Sequence, residues 1–109
     1  MSKIKNIEVR MNTVNKILKF LKLNILNDEE KQVIHELAKS TKKTDLQKKR
    51  FYMVYNVGPN EKEHNTYKKV ASFYECSTGA IRSSVITVVV ALYHLPDEKF
   101  IYLENILKK

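Results

Sequence analysis

The stretch TYKKVASFYECSTGAIRSSVITVVVAL, residues 66–92, decides the fold. Its first part reads as a short helix capped by Asn65 or Thr66 and running through Tyr74. A three-residue turn then leads into a long helix from about Thr78 to His94, which Pro96 stops. Two helices that cross at a tight angle need a small residue where they touch and apolar contacts on either side. Val70-Ala71 supplies the small residue, Tyr74 and Cys76 flank the turn, and Ile81 and Val85 anchor the second helix onto the first. Ser77 stands as N-cap of the second helix, which turns the exposed side chains of its first turns outward. This is the pattern of a helix-turn-helix over residues 66–92. Val85-Ile86-Thr87-Val88-Val89-Val90 is β-branched and has the local propensity of a strand. Its continuity with Ala80-Ile81 and Ala91-Leu92 predicts a buried helix instead. Being apolar nearly all round, that helix is expected to be covered on both sides. The domain covers one side; the N-terminal helix, the C-terminal helix or a second copy covers the other, with intramolecular cover preferred over a homodimer.

Working outward, the chain has only two glycines and two prolines, so long helices are expected. Upstream, Ile7, Val14, Ile17, Leu18, Leu21 and Ile25 recur at helical spacing and predict an amphipathic helix over residues 4–25. Asn27 and Glu30 occupy capping-box positions and open a second helix through Val33, Ile34, Leu37 and Ala38. Ser40–Thr44 reads as a lysine-rich loop. A third helix starts near Asp45, carries Leu46, Phe51, Tyr52, Val54 and Tyr55, and ends at Gly58-Pro59, with glycine as C-cap. Residues 59–65 are a polar loop. Downstream, Asp97 is expected to cap a last helix whose buried face is Phe100, Ile101, Leu103, Ile106 and Leu107. The reading is all-α: one small domain of about six helices, with an N-terminal amphipathic helix in 1–26, the helix-turn-helix region in 27–95, and a C-terminal helix in 96–109 packing on it.

The 109 residues carry a net charge of +8, a balance that suits a polyanionic partner. Residues 1–50 hold 13 Lys/Arg against 6 Asp/Glu, whereas residues 51–109 hold 7 against 6. The densest run is Lys39, Lys42, Lys43, Lys48, Lys49 and Arg50. Nothing approaches the roughly 20 uninterrupted apolar residues of a membrane span, so no membrane is expected. The interspersed polar residues near the N-terminus do not read as a signal peptide, and a single cysteine fits a reducing, cytoplasmic setting. Enzyme chemistry is not expected. Cys76 lies at the turn, where a small apolar residue is wanted for packing, and His35, His64 and His94 keep no metal-ligand spacing. No glycine-rich phosphate loop or paired carboxylates occur, and no cofactor or metal is implied.

Residues 45–95 resemble region 4 of bacterial RNA polymerase sigma factors, the domain that contacts the promoter's upstream element. The residues carrying the resemblance are the helix Gln47-Lys48-Lys49-Arg50-Phe51-Tyr52-Met53-Val54-Tyr55-Asn56-Val57, the segment Thr66–Tyr74, and Cys76-Ser77 with Ala80-Ile81-Arg82. They are similar to the family's arginine-apolar-tyrosine helix, its threonine-led helix, and its recognition helix with an Ile-Arg pair. Leu26–Leu37 matches the position of the preceding helix, and no region 2 or 3 is present. Where such turns usually place glycine this chain has Glu75, which must take a left-handed or otherwise unfavourable backbone. Thr78 and Gly79 stand where the family often has arginine and glutamate, and the helix continues apolar rather than basic.

The resemblance implies a stand-alone, sigma-like regulator of transcription that binds double-stranded DNA and touches RNA polymerase. Arg82, the one cation of the expected recognition helix, can bond a guanine edge bidentately or hold a phosphate. Ser77, Thr78, Ser83 and Ser84 offer hydroxyls to bases or phosphates, or equally serve as small residues that permit close packing. Lys68 and Lys69 are placed for phosphates because their helix crosses the backbone in this motif. Lys42, Lys43, Lys48, Lys49 and Arg50 add phosphate contacts or meet an acidic protein surface. The alternative is a protein-interaction module that binds RNA polymerase or a sigma or anti-sigma partner without reading DNA. A homodimer would pair two weakly basic recognition helices.

Overall fold

Side-chain caps set where most of the helices begin. In the computed structural model, which describes residues 6–58 and 66–108, Asn6 accepts from the Val9 amide at 2.9 Å and opens α1 (Ile7–Lys22). A reciprocal capping box of Asn27 and Glu30 opens α2 (Asp28–Lys39), and a second one, Thr44 with Gln47, opens α3 (Asp45–Tyr55). Thr66 caps α4 (Tyr67–Tyr74) and Ser77 caps α5 (Thr78–Tyr93). Each such cap stabilises its helix by about 1 kcal/mol. The last helix, α6 (Asp97–Leu107), departs from expectation. Pro96 holds the N-cap position with no side-chain cap bond, and Asp97 is the first helical residue. The Asp97 carboxylate is drawn away by Arg10, described below. The start of the first helix at residue 4, the cap Asn65, Pro59, His64 and the expected polar loop 59–65 lie outside the described residues.

Three helix ends share one device. Asn24, Asn56 and Glu75 are non-glycine residues at positive φ (57°, 56° and 54°). After each, the next amide reaches back to a carbonyl five residues earlier: Ile25 to Phe20 at 3.2 Å, Val57 to Tyr52 at 3.1 Å, and Cys76 to Ala71 at 3.0 Å. These bonds satisfy carbonyls that a helix end leaves open. The C-cap of α3 is therefore Asn56 and not Gly58. Gly58 does its own work two residues later, at φ +109°, where an added Cβ would lie 3.1 Å from the His35 ring. The first helix likewise ends at Lys22, leaving Ile25 exposed, as Ile7 is at its other end.

The described residues contain six helices and no strand, so the β-branched run folds as helix. Burial decides this: Val85, Val88, Val89 and Leu92 sit on the side of α5 that packs against α3, α4, α1 and α2. Cover from within the chain is incomplete, however, because Ile86 and Val90 remain exposed on the outward side. One core cluster draws buried residues from all six helices, with Phe51, Ile34, Ile81 and Val88 fully enclosed. α6 closes it by packing Phe100, Leu103 and Ile106 against α1 and α2, while Ile101 faces outward and Leu107 is half-buried. No single helix among the described residues is long and apolar enough to cross a membrane.

A buried arginine locks the two ends together. Arg10, only 6% exposed, donates to the Tyr93 and Leu95 carbonyls at 2.9 and 2.5 Å and to the Asp97 carboxylate at 2.5 Å. Its guanidinium also lies over the Phe100 ring, 4.4 Å from the centroid. The cation thus answers the carbonyls at the end of α5 and an acid in the first turn of α6. In the sequence Arg10 reads as one polar residue among others on an amphipathic helix.

Candidate nucleic-acid interface

The corner between α4 and α5 is built from three residues. Glu75 turns the chain at φ 54°, ψ 48°, the Cys76 amide bonds back to Ala71, and the Ser77 hydroxyl accepts from the Ala80 amide at 3.1 Å. The two helix axes meet at 108°. Val70 and Ala71 of α4 are buried, as are Ile81, Ser84 and Val85 of α5, so the small residue falls where the helices pack.

α3 braces this corner through Arg50. Its guanidinium donates to Ser84 Oγ at 2.9 Å, lies 3.9 Å from Cys76 Sγ, and covers the Tyr74 ring at 4.8 Å. Arg50 therefore points inward to the turn. The rest of the basic run divides: Lys48 donates to the Lys39 carbonyl at 2.8 Å and closes the loop between α2 and α3, whereas Lys42, Lys43 and Lys49 are exposed. Lys68 and Lys69 are exposed on α4.

Thr78, Gly79, Arg82, Ser83, Ile86 and Val90 form the outward face of α5. Arg82 does not project straight from it. Its guanidinium lies over the ring of Tyr67, the first residue of α4, at 5.3 Å. Lys22, the last residue of α1, places its ammonium 5.6 Å from the same ring and 5.6 Å from the Tyr55 ring. Three helices thus bring two cations onto one aromatic side chain while both remain exposed. Such contacts contribute about 0.5–1 kcal/mol each at exposed sites, enough to orient a side chain but not to hold it against a stronger partner.

Beneath this cluster, burial raises the ionisation of the Tyr55 phenol well above its ordinary 10.0, helped by the neighbouring Tyr67 hydroxyl, to which it is hydrogen-bonded, and by Tyr93. Tyr93 in turn donates its hydroxyl to Asn15 Oδ1 at 2.8 Å. Tyr55 is therefore a neutral, buried support under the exposed cations. Among the described residues no three His, Cys, Asp or Glu gather as metal ligands.

The fold brings together Lys68, Lys69, Ser77, Thr78, Arg82 and Ser83, all on α4, the turn or the outer face of α5. Sequence reasoning missed Lys22 and Tyr67. Lys22 carries no local signal, being one of several lysines on α1, and Tyr67 acquires its role only once α1 docks. Comparison with protein-family models, with curated proteins and with solved structures finds no match to this chain.

Proposed function

We propose that the protein is a DNA-binding regulator of transcription, acting in the cytoplasm, whose α4–α5 corner is a helix-turn-helix similar to region 4 of sigma factors. The observation that carries the reading is the corner itself. Two helices joined by three residues at 108° leave the outer face of α5 clear, with Arg82, Lys22, Lys68 and Lys69 around it. A helix presented in this way fits a major groove, and the flanking cations fit its phosphates. RNA polymerase is a further partner consistent with the resemblance. A pair of copies on two half-sites would offset the modest charge of each corner.

The test is duplex binding across a salt series. Affinity is expected to fall steeply with salt, and Arg82→Ala to weaken binding on every duplex and to flatten the salt dependence by about one phosphate contact. Absence of binding even at low salt removes the reading. It would favour the second one, a module that binds polymerase or a sigma or anti-sigma partner, for which Phe73, 68% exposed on α4, is the specific observation. Light scattering with and without DNA decides the paired arrangement, which a strict monomer rules out.

A further inference from the structure

The chemistry left on the outward face of α5 is unusual for a base-reading helix. Arg82 is drawn toward α4 by the Tyr67 ring, which also holds Lys22, and so stands at the flank of the face. Of the other polar groups, the Ser77 hydroxyl caps α5, the Ser84 hydroxyl is bonded to Ala80 and Arg50, and the Thr87 hydroxyl is turned back to the Ser83 carbonyl at 2.8 Å. Gly79, Ser83, Ile86 and Val90 remain along the middle, spaced at four, three and four residues. Ile86 is 50% exposed and Val90 is 41% exposed. Gly79 is not required by packing, since an added Cβ would meet only Ser77 Oγ at 3.8 Å.

No amide or guanidinium lies on this midline to make the bidentate bonds that distinguish guanine or adenine. The one base-edge feature in the major groove that an apolar side chain recognises is the thymine methyl group. Taking the DNA-binding reading as its basis, we propose that Ile86, with Val90 behind it, reads thymine methyls in A·T base pairs, while Arg82 and Lys22 clamp the adjoining phosphates. Charge selects DNA over a second copy as the occupant. A second copy would bring an equally cationic surface to this one, since each carries Lys22 and Arg82 at the flank of the face and a net charge of +8. A polyanion meets the apolar strip and the cationic flank together.

The experiment compares binding to alternating A·T duplexes of about 30 base pairs made with thymidine or with deoxyuridine, which lacks only the methyl. Burying one methyl corresponds to about fourfold in affinity, so the deoxyuridine duplex should bind about fourfold more weakly for each methyl contacted. Ile86→Ala should reduce the difference and the double variant Ile86→Ala/Val90→Ala should abolish it, both positions being exposed and outside the core. Lys22→Ala should weaken both duplexes equally and reduce the salt slope by about one. Equal affinity of the wild type for the two duplexes, with binding otherwise salt-dependent, overturns the thymine reading and leaves DNA binding standing. A preference undiminished in the double variant overturns it as well, as does a change of oligomeric state in that variant, which assigns the face to a second copy. Failure of the wild type to bind any duplex removes the underlying function itself.

Discussion

Two arginines that look interchangeable by composition do different work at the residue scale. Arg10 supplies three donor contacts inside the protein to two helix-end carbonyls and a carboxylate. Truncating it leaves the carbonyl of buried Leu95 and that of half-buried Tyr93 without their partner, and removes the ion pair to Asp97 and the cover over Phe100. Arg10→Ala should therefore destabilise the fold by about 3 kcal/mol in urea unfolding. Arg50→Lys tests the other: an ammonium cannot span Ser84 and Cys76 as the planar fork does, so a loss of about 1 kcal/mol is expected. Glu75 tests the turn. A side chain at positive φ costs about 1 kcal/mol, so Glu75→Gly should raise the unfolding midpoint by a corresponding amount. Tyr55 gives a pH dependence. Its folded-state ionisation lies above the unfolded value, so above pH 10 the unfolded chain has released a proton that the native state keeps. Stability then falls as pH rises, by up to ~1.4 kcal/mol per pH unit, and it is fully present below pH 10. Urea unfolding of wild type and Tyr55→Phe between pH 9 and 11 should show the difference, with the variant less sensitive.

Among the helices, the elements legible in the sequence were those fixed by local chemistry. The Asn27–Glu30 capping box, the Ser77 cap and the left-handed backbone at Glu75 follow from neighbours within a few residues, and each is found where its residues predict it. Long-range contacts decided the rest. Asp97 looks like a cap, yet Arg10, remote in sequence, takes its carboxylate. Gly58 looks like a C-cap because Asn56 accepts the left-handed conformation less readily, but the Val57-to-Tyr52 bond closes the helix at Asn56. The two glycines should therefore respond in opposite directions. Gly58→Ala meets positive φ and the His35 ring and should cost about 2 kcal/mol, whereas Gly79→Ala should gain about 0.5–1 kcal/mol of helix stability. Thermal unfolding of the two variants checks the sign. The outer face of α5 was half legible: its residue types were plain, but the capture of Arg82 by Tyr67 required knowing which helix lies beside it.

For the whole molecule, the uneven charge along the chain was visible from the start, while its arrangement in space was not. The fold separates the basic run, whose Arg50 and Lys48 serve internal contacts, from the cations grouped around Tyr67. α5 also plays two parts at once, as the inner wall of the core and as the presented face. A helix packed against four others is held in place by them. The amides of its buried part, from Val85 to Leu92, should exchange with solvent only through global opening, at the same free energy as complete unfolding, and hydrogen exchange would register this directly. Under the proposed function, a duplex meeting such a helix would meet a fixed template. Adjustment then falls to the nucleic acid, and flexible pyrimidine–purine steps would be favoured even at base pairs the protein never touches.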